Sequence, residues 1–132
     1  EIASLHSDWV TDVITFTASI TKNNKKHELT FGDLTKPCLK GKGLLLVNDR
    51  GISFSGYSKS KTRMDKTVEI PHWTIHDLRR TFSTIHARIG TPIHITETLL
   101  NHASGTRAGM VAIYQRYDYA QEMHQAVLAY EE

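Results

Sequence analysis

Two side chains that suit phosphate chemistry stand three residues apart at the predicted start of a helix. They are His76 and Arg79, within the segment His76-Asp77-Leu78-Arg79-Arg80, and residues i and i+3 share a helix face. Arginine offers a bidentate fork to a phosphate, imidazole can donate or shuttle a proton, and a helix N-terminus favours negative charge. We predict that Leu78 anchors this turn in the core while His76 and Arg79 project together. A surface histidine beside a salt-bridged arginine would explain the same residues.

Five segments of this chain resemble five segments of one protein family, and they occur in the same order along the chain. Residues 74–81 read Thr-Ile-His-Asp-Leu-Arg-Arg-Thr, residues 99–102 read Leu-Leu-Asn-His, and residues 111–119 read Val-Ala-Ile-Tyr-Gln-Arg-Tyr-Asp-Tyr. Residues 21–29 hold Lys22 in a predicted hairpin, and residues 1–5 read Glu-Ile-Ala-Ser-Leu. These segments resemble the His-x-x-Arg box, the Leu-Gly-His or Leu-Asn-His segment, the nucleophile segment, the lysine hairpin and the residues after the first catalytic arginine of tyrosine recombinases. The nucleophile segment is similar to that of the prophage-integrase branch of this phage-integrase family.

The resemblance implies a role for each matching residue. Tyr114 would attack a DNA phosphodiester, and Arg79 and His102 would contact the phosphate. His76 would assist proton transfer, and Lys22 would protonate the leaving oxygen, with Lys25 as its substitute if the turn register differs. The energy of the broken bond stays in a 3′-phosphotyrosyl link, so no cofactor is expected. We expect no metal either, because His72 and His76 stand four residues apart without an evident third ligand.

A helical pattern in the nucleophile segment separates its tyrosines. At about 100° per residue, Tyr117 falls within the apolar stripe that includes Met110 and Ile113, and Tyr114 falls at its edge. This predicts a buried core tyrosine at 117 and a hydroxyl at 114 that can turn into a cleft. Tyr119 is a minor candidate for the nucleophile, and a half-buried structural ring is the alternative explanation of Tyr114.

The charge of the chain is concentrated in its middle. Net charge is +2, but residues 20–80 hold 13 of the 16 Lys and Arg residues and 6 of the 14 Asp and Glu residues, a local charge of +7. Such a basic region suits a polyanion, because phosphate contacts release counterions, although a solvated basic face would look the same. We expect double-stranded DNA as the partner. The predicted backbone contacts are Lys25, Lys26, Lys40, Lys59, Lys61 and Arg63.

The elements that must position these residues form a predicted α+β fold, with a small antiparallel sheet packed beside a mainly helical body. β-Branched and aromatic residues predict strands at 13–18 and 27–31, with a possible third at 44–47, and a helix is possible within 53–66. Thr74 and Asp77 form a capping-box pattern before a helix with its apolar stripe at Leu78, Phe82, Ile85 and Ile89. Gly90 ends that helix, and Thr91 and Pro92 begin the next. Its predicted buried side is Ile93, Thr96, Leu99 and Leu100, and further helices fit 110–117 and 120–130.

The resemblance covers nearly the whole chain and implies a domain organisation. Residues 1–132 would be a C-terminal catalytic domain that begins just after the first catalytic arginine, so this piece alone would be inactive. Family members act as tetramers on paired DNA sites. No apolar run is long enough to cross a membrane and there is one cysteine, Cys38, which fits a cytoplasmic protein from a bacterium or phage. The alternatives are a type IB topoisomerase and a DNA-binding module of the same fold without catalysis.

Overall fold

A computed structural model describes residues 2–102 and 117–132 of the chain. In this part it has an α+β architecture, with four α-helices and one two-stranded antiparallel sheet. The strands are β1 (Ile14–Phe16) and β2 (His27–Leu29), and the helices are α1 (Tyr57–Asp65), α2 (Ile75–Arg88), α3 (Ile93–Leu99) and α4 (Ala120–Glu131). Short 3-10 turns occupy Ile2–Ser4, Ser7–Trp9 and Lys36–Leu39. The predicted fold class is confirmed at this level, and the predicted helix at 110–117 lies outside the described residues apart from residue 117.

The two strands form the hairpin that the sequence predicts. Ile14 pairs with Leu29 and Phe16 with His27, and Ile14 and Phe16 are buried on either side of the half-buried Thr15. The possible third strand at 44–47 is wrong. Leu44 bridges to His6 while Val47 bridges to Ser53. The two ends of this segment thus pair with different partners, and no continuous ladder of hydrogen bonds can form.

Helix α2 begins where the capping-box pattern places it. Asp77 Oδ2 accepts hydrogen bonds from the backbone N–H and the hydroxyl of Thr74, both at 2.8 Å. These two bonds, supported by Arg80, lower the pKa of the Asp77 carboxyl. Helix α2 ends in a Schellman motif, with Gly90 at φ +81° and the Thr91 N–H bonded to the His86 carbonyl at 2.9 Å.

The buried face of α2 differs from the predicted stripe. Leu78 is 58% exposed and Ile89 42% exposed, so the prediction that Leu78 anchors the first turn in the core is wrong. The fully buried residue of this helix is His86. Tyr130 of α4 packs against Phe82 and His86, with ring centroids 5.1 Å apart in both pairs. The packing of α4 therefore determines which face of α2 is buried. The apolar pattern of α2 alone does not predict this face.

Helix α3 begins one residue later than predicted and buries a partly different set of residues. Ile93 is 66% exposed, whereas Ile95, which the prediction left out, is 2% exposed; Thr96 and Leu99 are buried as predicted. The residue before the helix is Pro92, not Thr91. The Thr91 hydroxyl lies 3.0 Å from His86 Nδ1, so it contacts α2 instead of capping α3.

Two apolar clusters form the core and meet at Leu29 of β2. One consists of Ile95, Leu99, Met123 and Ala126, and the other of Leu5, Ile14 and Phe16; Leu29 packs against both. The end of α4 also holds the segment that follows β2. Glu131 accepts hydrogen bonds from the Leu34 N–H at 3.0 Å and the Thr35 hydroxyl at 3.3 Å. No helix among the described residues is long and apolar enough to span a membrane.

Candidate active site

The side chain of Arg79 joins the first half of α2 to the segment that follows α3. Its Nη2 donates a hydrogen bond to the Leu100 carbonyl at 2.5 Å, across 21 residues of sequence. Leu100 stands two residues before His102. This contact brings the predicted phosphate-binding guanidinium to the chain segment that carries the second predicted histidine.

His102 follows a helix ending of defined geometry. Asn101 has a φ of +53°, its N–H bonds to the Thr98 carbonyl, and the His102 N–H bonds to the Glu97 carbonyl, each at 3.0 Å. This is a Schellman motif with Asn101 at the left-handed position, which glycine and then asparagine tolerate best. This geometry explains why glycine or asparagine suits position 101, directly before His102. His102 follows this motif and is exposed.

The tip of the β1–β2 hairpin is closed by its own side chains. Thr21 is 4% exposed, and its Oγ1 donates to the Lys25 carbonyl at 2.6 Å and accepts from the Lys25 N–H at 3.1 Å. Asn23 Oδ1 accepts from the same N–H at 3.2 Å. Lys22 is exposed and lies between Thr21 and Asn23, so its backbone belongs to a loop that these bonds hold in one shape.

The hairpin tip contacts the end of α3 directly. Asn23 Nδ2 donates a hydrogen bond to Asn101 Oδ1 at 2.8 Å, across 78 residues of sequence. Asn23 is the neighbour of Lys22, and Asn101 is the neighbour of His102. Together with the Arg79 contact, this bond connects the chain segments that hold three of the five predicted catalytic residues.

The other two predicted catalytic residues stand differently. His76 is exposed on α2, one turn before Arg79, and residues with this spacing share a helix face. Tyr114, the predicted nucleophile, lies outside the described residues. The structure thus brings together the segments that hold Lys22, Arg79 and His102, and the predicted nucleophile is not among the described residues.

Tyr117 is not the buried core tyrosine that the helical pattern predicted. It is 54% exposed, and its hydroxyl donates to Glu122 Oε2 at 3.2 Å. This bond to a carboxylate raises the pKa of the Tyr117 phenol, which opposes the deprotonation that a nucleophile needs. Tyr119, the minor candidate, is half-buried at φ +58°, with its ring centroid 5.0 Å from that of His94.

The predicted DNA-backbone contacts fall into two groups. Lys25, Lys40, Lys59 and Arg63 are exposed. Lys26 is exposed as well, but it pairs with Glu28 at 2.5 Å. Lys61 pairs with Asp65 at 2.6 Å, and its ammonium stands 4.9 Å from the centroid of the Trp73 ring. A phosphate would have to compete with these carboxylates for Lys26 and Lys61.

Sequence reasoning missed the role of two asparagines in joining these segments. Asn23 and Asn101 both lie inside segments that the family resemblance covers, but neither was assigned a contact. The available signal was the Gly-or-Asn position before the histidine, which indicates a left-handed residue. As for metals, residues 2–102 and 117–132 contain no group of three His, Cys, Asp or Glu side chains that could hold an ion.

Searches against protein-family models, curated protein sequences and solved structures found no match.

Proposed function

We propose that this chain is the catalytic domain of a tyrosine recombinase, which integrates or excises a mobile element by cutting and rejoining DNA. The observation that carries the proposal is the pair of hydrogen bonds at residues 100 and 101. One comes from Arg79 of α2 and the other from Asn23 of the hairpin tip. Segments that lie far apart in the sequence and resemble the catalytic motifs of one family are thereby in contact at the end of α3.

The reaction in this proposal is a transesterification. The Tyr114 oxygen attacks the phosphorus, a 3′-phosphotyrosyl bond forms, and the 5′ oxygen of the DNA leaves as a hydroxyl after it gains a proton. A 5′-hydroxyl from a different strand then attacks the same phosphorus and releases the tyrosine. One phosphodiester bond is exchanged for another at each step, so no nucleotide cofactor is required.

Arg79 would neutralise the charge that grows on the non-bridging oxygens of the phosphate. A guanidinium has five N–H donors in a fixed plane. Its bond to the Leu100 carbonyl uses one of these donors and holds the guanidinium near the end of α3, which leaves further donors for a phosphate. Preorganised donors of this kind stabilise a transition state without reorganisation at the moment of reaction.

The remaining groups would manage hydrogen bonds and protons. His102 would donate to the same phosphate, and His76 would assist proton transfer near the tyrosine. Lys22 would supply the proton to the leaving 5′ oxygen, with Lys25 as the substitute. Double-stranded DNA is the substrate, and the full-length protein would work as a tetramer on paired sites in the cytoplasm of a bacterial host.

The test is covalent trapping with the full-length protein on a nicked suicide DNA substrate, from which the cleaved strand diffuses away. Wild-type protein is expected to accumulate a protein–DNA adduct, and Tyr114→Phe is expected to abolish it, because the phenolic oxygen is the nucleophile. Tyr117→Phe is the matched control and keeps the adduct. An adduct that persists in Tyr114→Phe would assign the nucleophile to another residue.

The same protein separates recombination from its alternatives. A recombinase exchanges strands between two DNA sites, whereas a type IB topoisomerase relaxes one supercoiled plasmid without exchange. Strand exchange that depends on Tyr114 supports the proposal. Relaxation alone, or DNA binding with no adduct at all, would overturn it.

A further inference from the structure

The carboxamide of Asn23 makes two contacts that together define its orientation. Its Oδ1 accepts from the Lys25 N–H at 3.2 Å, inside the hairpin tip. Its Nδ2 therefore points the other way and donates to Asn101 Oδ1 at 2.8 Å. Because a carboxamide oxygen accepts and its nitrogen donates, a flipped amide would lose both bonds. The side chain thus links the internal closure of the tip to the end of α3.

We propose that the Asn23–Asn101 hydrogen bond is the contact that positions the hairpin lysine for proton transfer to the leaving oxygen. This inference rests on the proposed function. Both asparagines are positioning residues, since each acts through its neighbour: Asn23 through Lys22 and Asn101 through the segment of His102.

The position of the bond in the chain explains why it would control Lys22. The hairpin tip turns between Thr21, which is 4% exposed, and Asn24 at φ +52°. Thr21 fixes one side of Lys22, and the bond to Asn101 fixes the other. A shift of about 1 Å in a catalytic group can cost about 100-fold in rate, so loss of one of these two anchors is enough to weaken a general acid.

The left-handed backbone of Asn101 provides a clean variant. Glycine adopts a φ of +53° without strain, so Asn101→Gly keeps the Schellman motif at the end of α3 and removes only the carboxamide. Asn24→Gly is the matched control, because Asn24 also has a positive φ of +52° and stands on the same tip as Asn23. Asn23→Ala removes the other partner of the bond.

The experiment compares two leaving groups in the full-length protein. One suicide substrate carries the normal 5′ oxygen at the scissile phosphate, and the other carries a 5′-bridging sulfur. A thiolate is a much weaker base than an alkoxide, so it leaves without a general acid. The readout is the single-turnover rate of adduct formation on each substrate, together with the thermal midpoint of unfolding of each variant.

The expected result is a selective loss. Asn101→Gly and Asn23→Ala should cleave the oxygen substrate at least about tenfold more slowly, a loss at the lower edge of what general acids contribute, and cleave the sulfur substrate at the wild-type rate. The double variant should lose no more than Asn23→Ala alone, because Asn23→Ala already removes the bond between the two asparagines as well as the bond from the Lys25 N–H. Asn24→Gly should match the wild type on both substrates.

Two other outcomes have distinct meanings. Equal slowing on both substrates, or no slowing on either, would overturn the role of the asparagine pair while leaving the recombinase reaction intact. Absence of an adduct from wild-type protein on both substrates would instead overturn the proposed function.

Discussion

His86 occupies the contact between α2 and α4 with no exposed surface. Its ring stacks on Tyr130 at an interplanar angle of 19° and lies edge-on to Phe82 with centroids 4.2 Å apart. Nδ1 bonds to the Thr91 hydroxyl, and among the described residues Nε2 has no hydrogen-bond partner. Burial in this apolar stack lowers the pKa of the imidazole, because desolvation penalises the charged form.

This residue predicts how stability depends on pH. Burial holds the pKa of the folded imidazole below its ordinary value of 6.5, so on acidification the unfolded chain gains its proton first. The contribution of His86 is therefore fully present above about pH 6.5 and decreases as the pH falls below it. Urea titrations at about pH 7.5 and about pH 5 should show a smaller free energy of unfolding at the lower pH. His86→Phe, which keeps a ring in the stack, should reduce this difference, and the exposed His72→Gln should leave it unchanged. A fall in stability that is equal in His86→Phe and wild type would assign the effect to other groups.

In helix α3, two isoleucines only two residues apart lie on opposite faces, one buried and one exposed. Ile95 is 2% exposed and contacts Leu99, Met123 and Ala126, while Ile93 is 66% exposed. Ile95→Ala should lower the free energy of unfolding by about 2–5 kcal/mol, because it removes buried methyl groups and leaves a cavity. Ile93→Ala, the same substitution at the start of the same helix, should change it by less than about 0.5 kcal/mol. Urea unfolding measures both, and similar losses in the two variants would contradict the burial of Ile95 and the exposure of Ile93.

The sequence predicts the existence of most elements better than the direction of their faces. Local signals in the sequence predict the hairpin, α1, α2 and α4. Residue alternation indicates the strands, the Thr74–Asp77 pattern marks the start of α2, and Gly90 marks its end. The inner faces of α2 and α3 depend on where neighbouring helices lie. Leu78 is apolar and periodic but exposed, whereas His86 is polar and fully buried because Phe82 and Tyr130 pack around it. Periodicity cannot report such packing.

The candidate site divides in the same way. Short motifs that resemble one family predict catalytic roles for Lys22, His76, Arg79 and His102, since each motif is local. The Asn23–Asn101 bond joins two polar residues 78 positions apart, and no pattern of hydrophobicity or spacing predicts such a pair. The helical pattern wrongly predicts that Tyr117 is buried, because the pattern does not include Glu122. The Glu122 carboxylate accepts a hydrogen bond from the Tyr117 hydroxyl at 3.2 Å.

On the scale of the whole molecule, the structure divides the basic residues by their partners. The middle of the chain carries most of the positive charge, +7 over residues 20–80, but several lysines there are paired within the protein. Lys26, Lys36 and Lys61 contact Glu28, Asp33 and Asp65, respectively. For the proposed binding of DNA, the exposed Lys25, Lys40, Lys59 and Arg63 are therefore better candidates to contact phosphates than Lys26 and Lys61.

This division predicts which residues control the salt dependence of DNA binding. Each lysine or arginine that neutralises a phosphate contributes about 0.9 to the slope of log affinity against log salt, because it releases a condensed counterion. Single substitutions Lys25→Gln, Lys59→Gln and Arg63→Gln in the full-length protein should each weaken binding and reduce this slope by up to about that amount. Lys36→Gln is the matched control, because Lys36 is also exposed but bonds to Asp33 at 2.6 Å, and it should leave the slope unchanged. Fluorescence anisotropy with a duplex, between about 50 and 200 mM salt, measures these slopes. If Lys36→Gln reduced the slope as much as the other three, DNA affinity would follow the net charge of the protein and not a defined set of phosphate contacts.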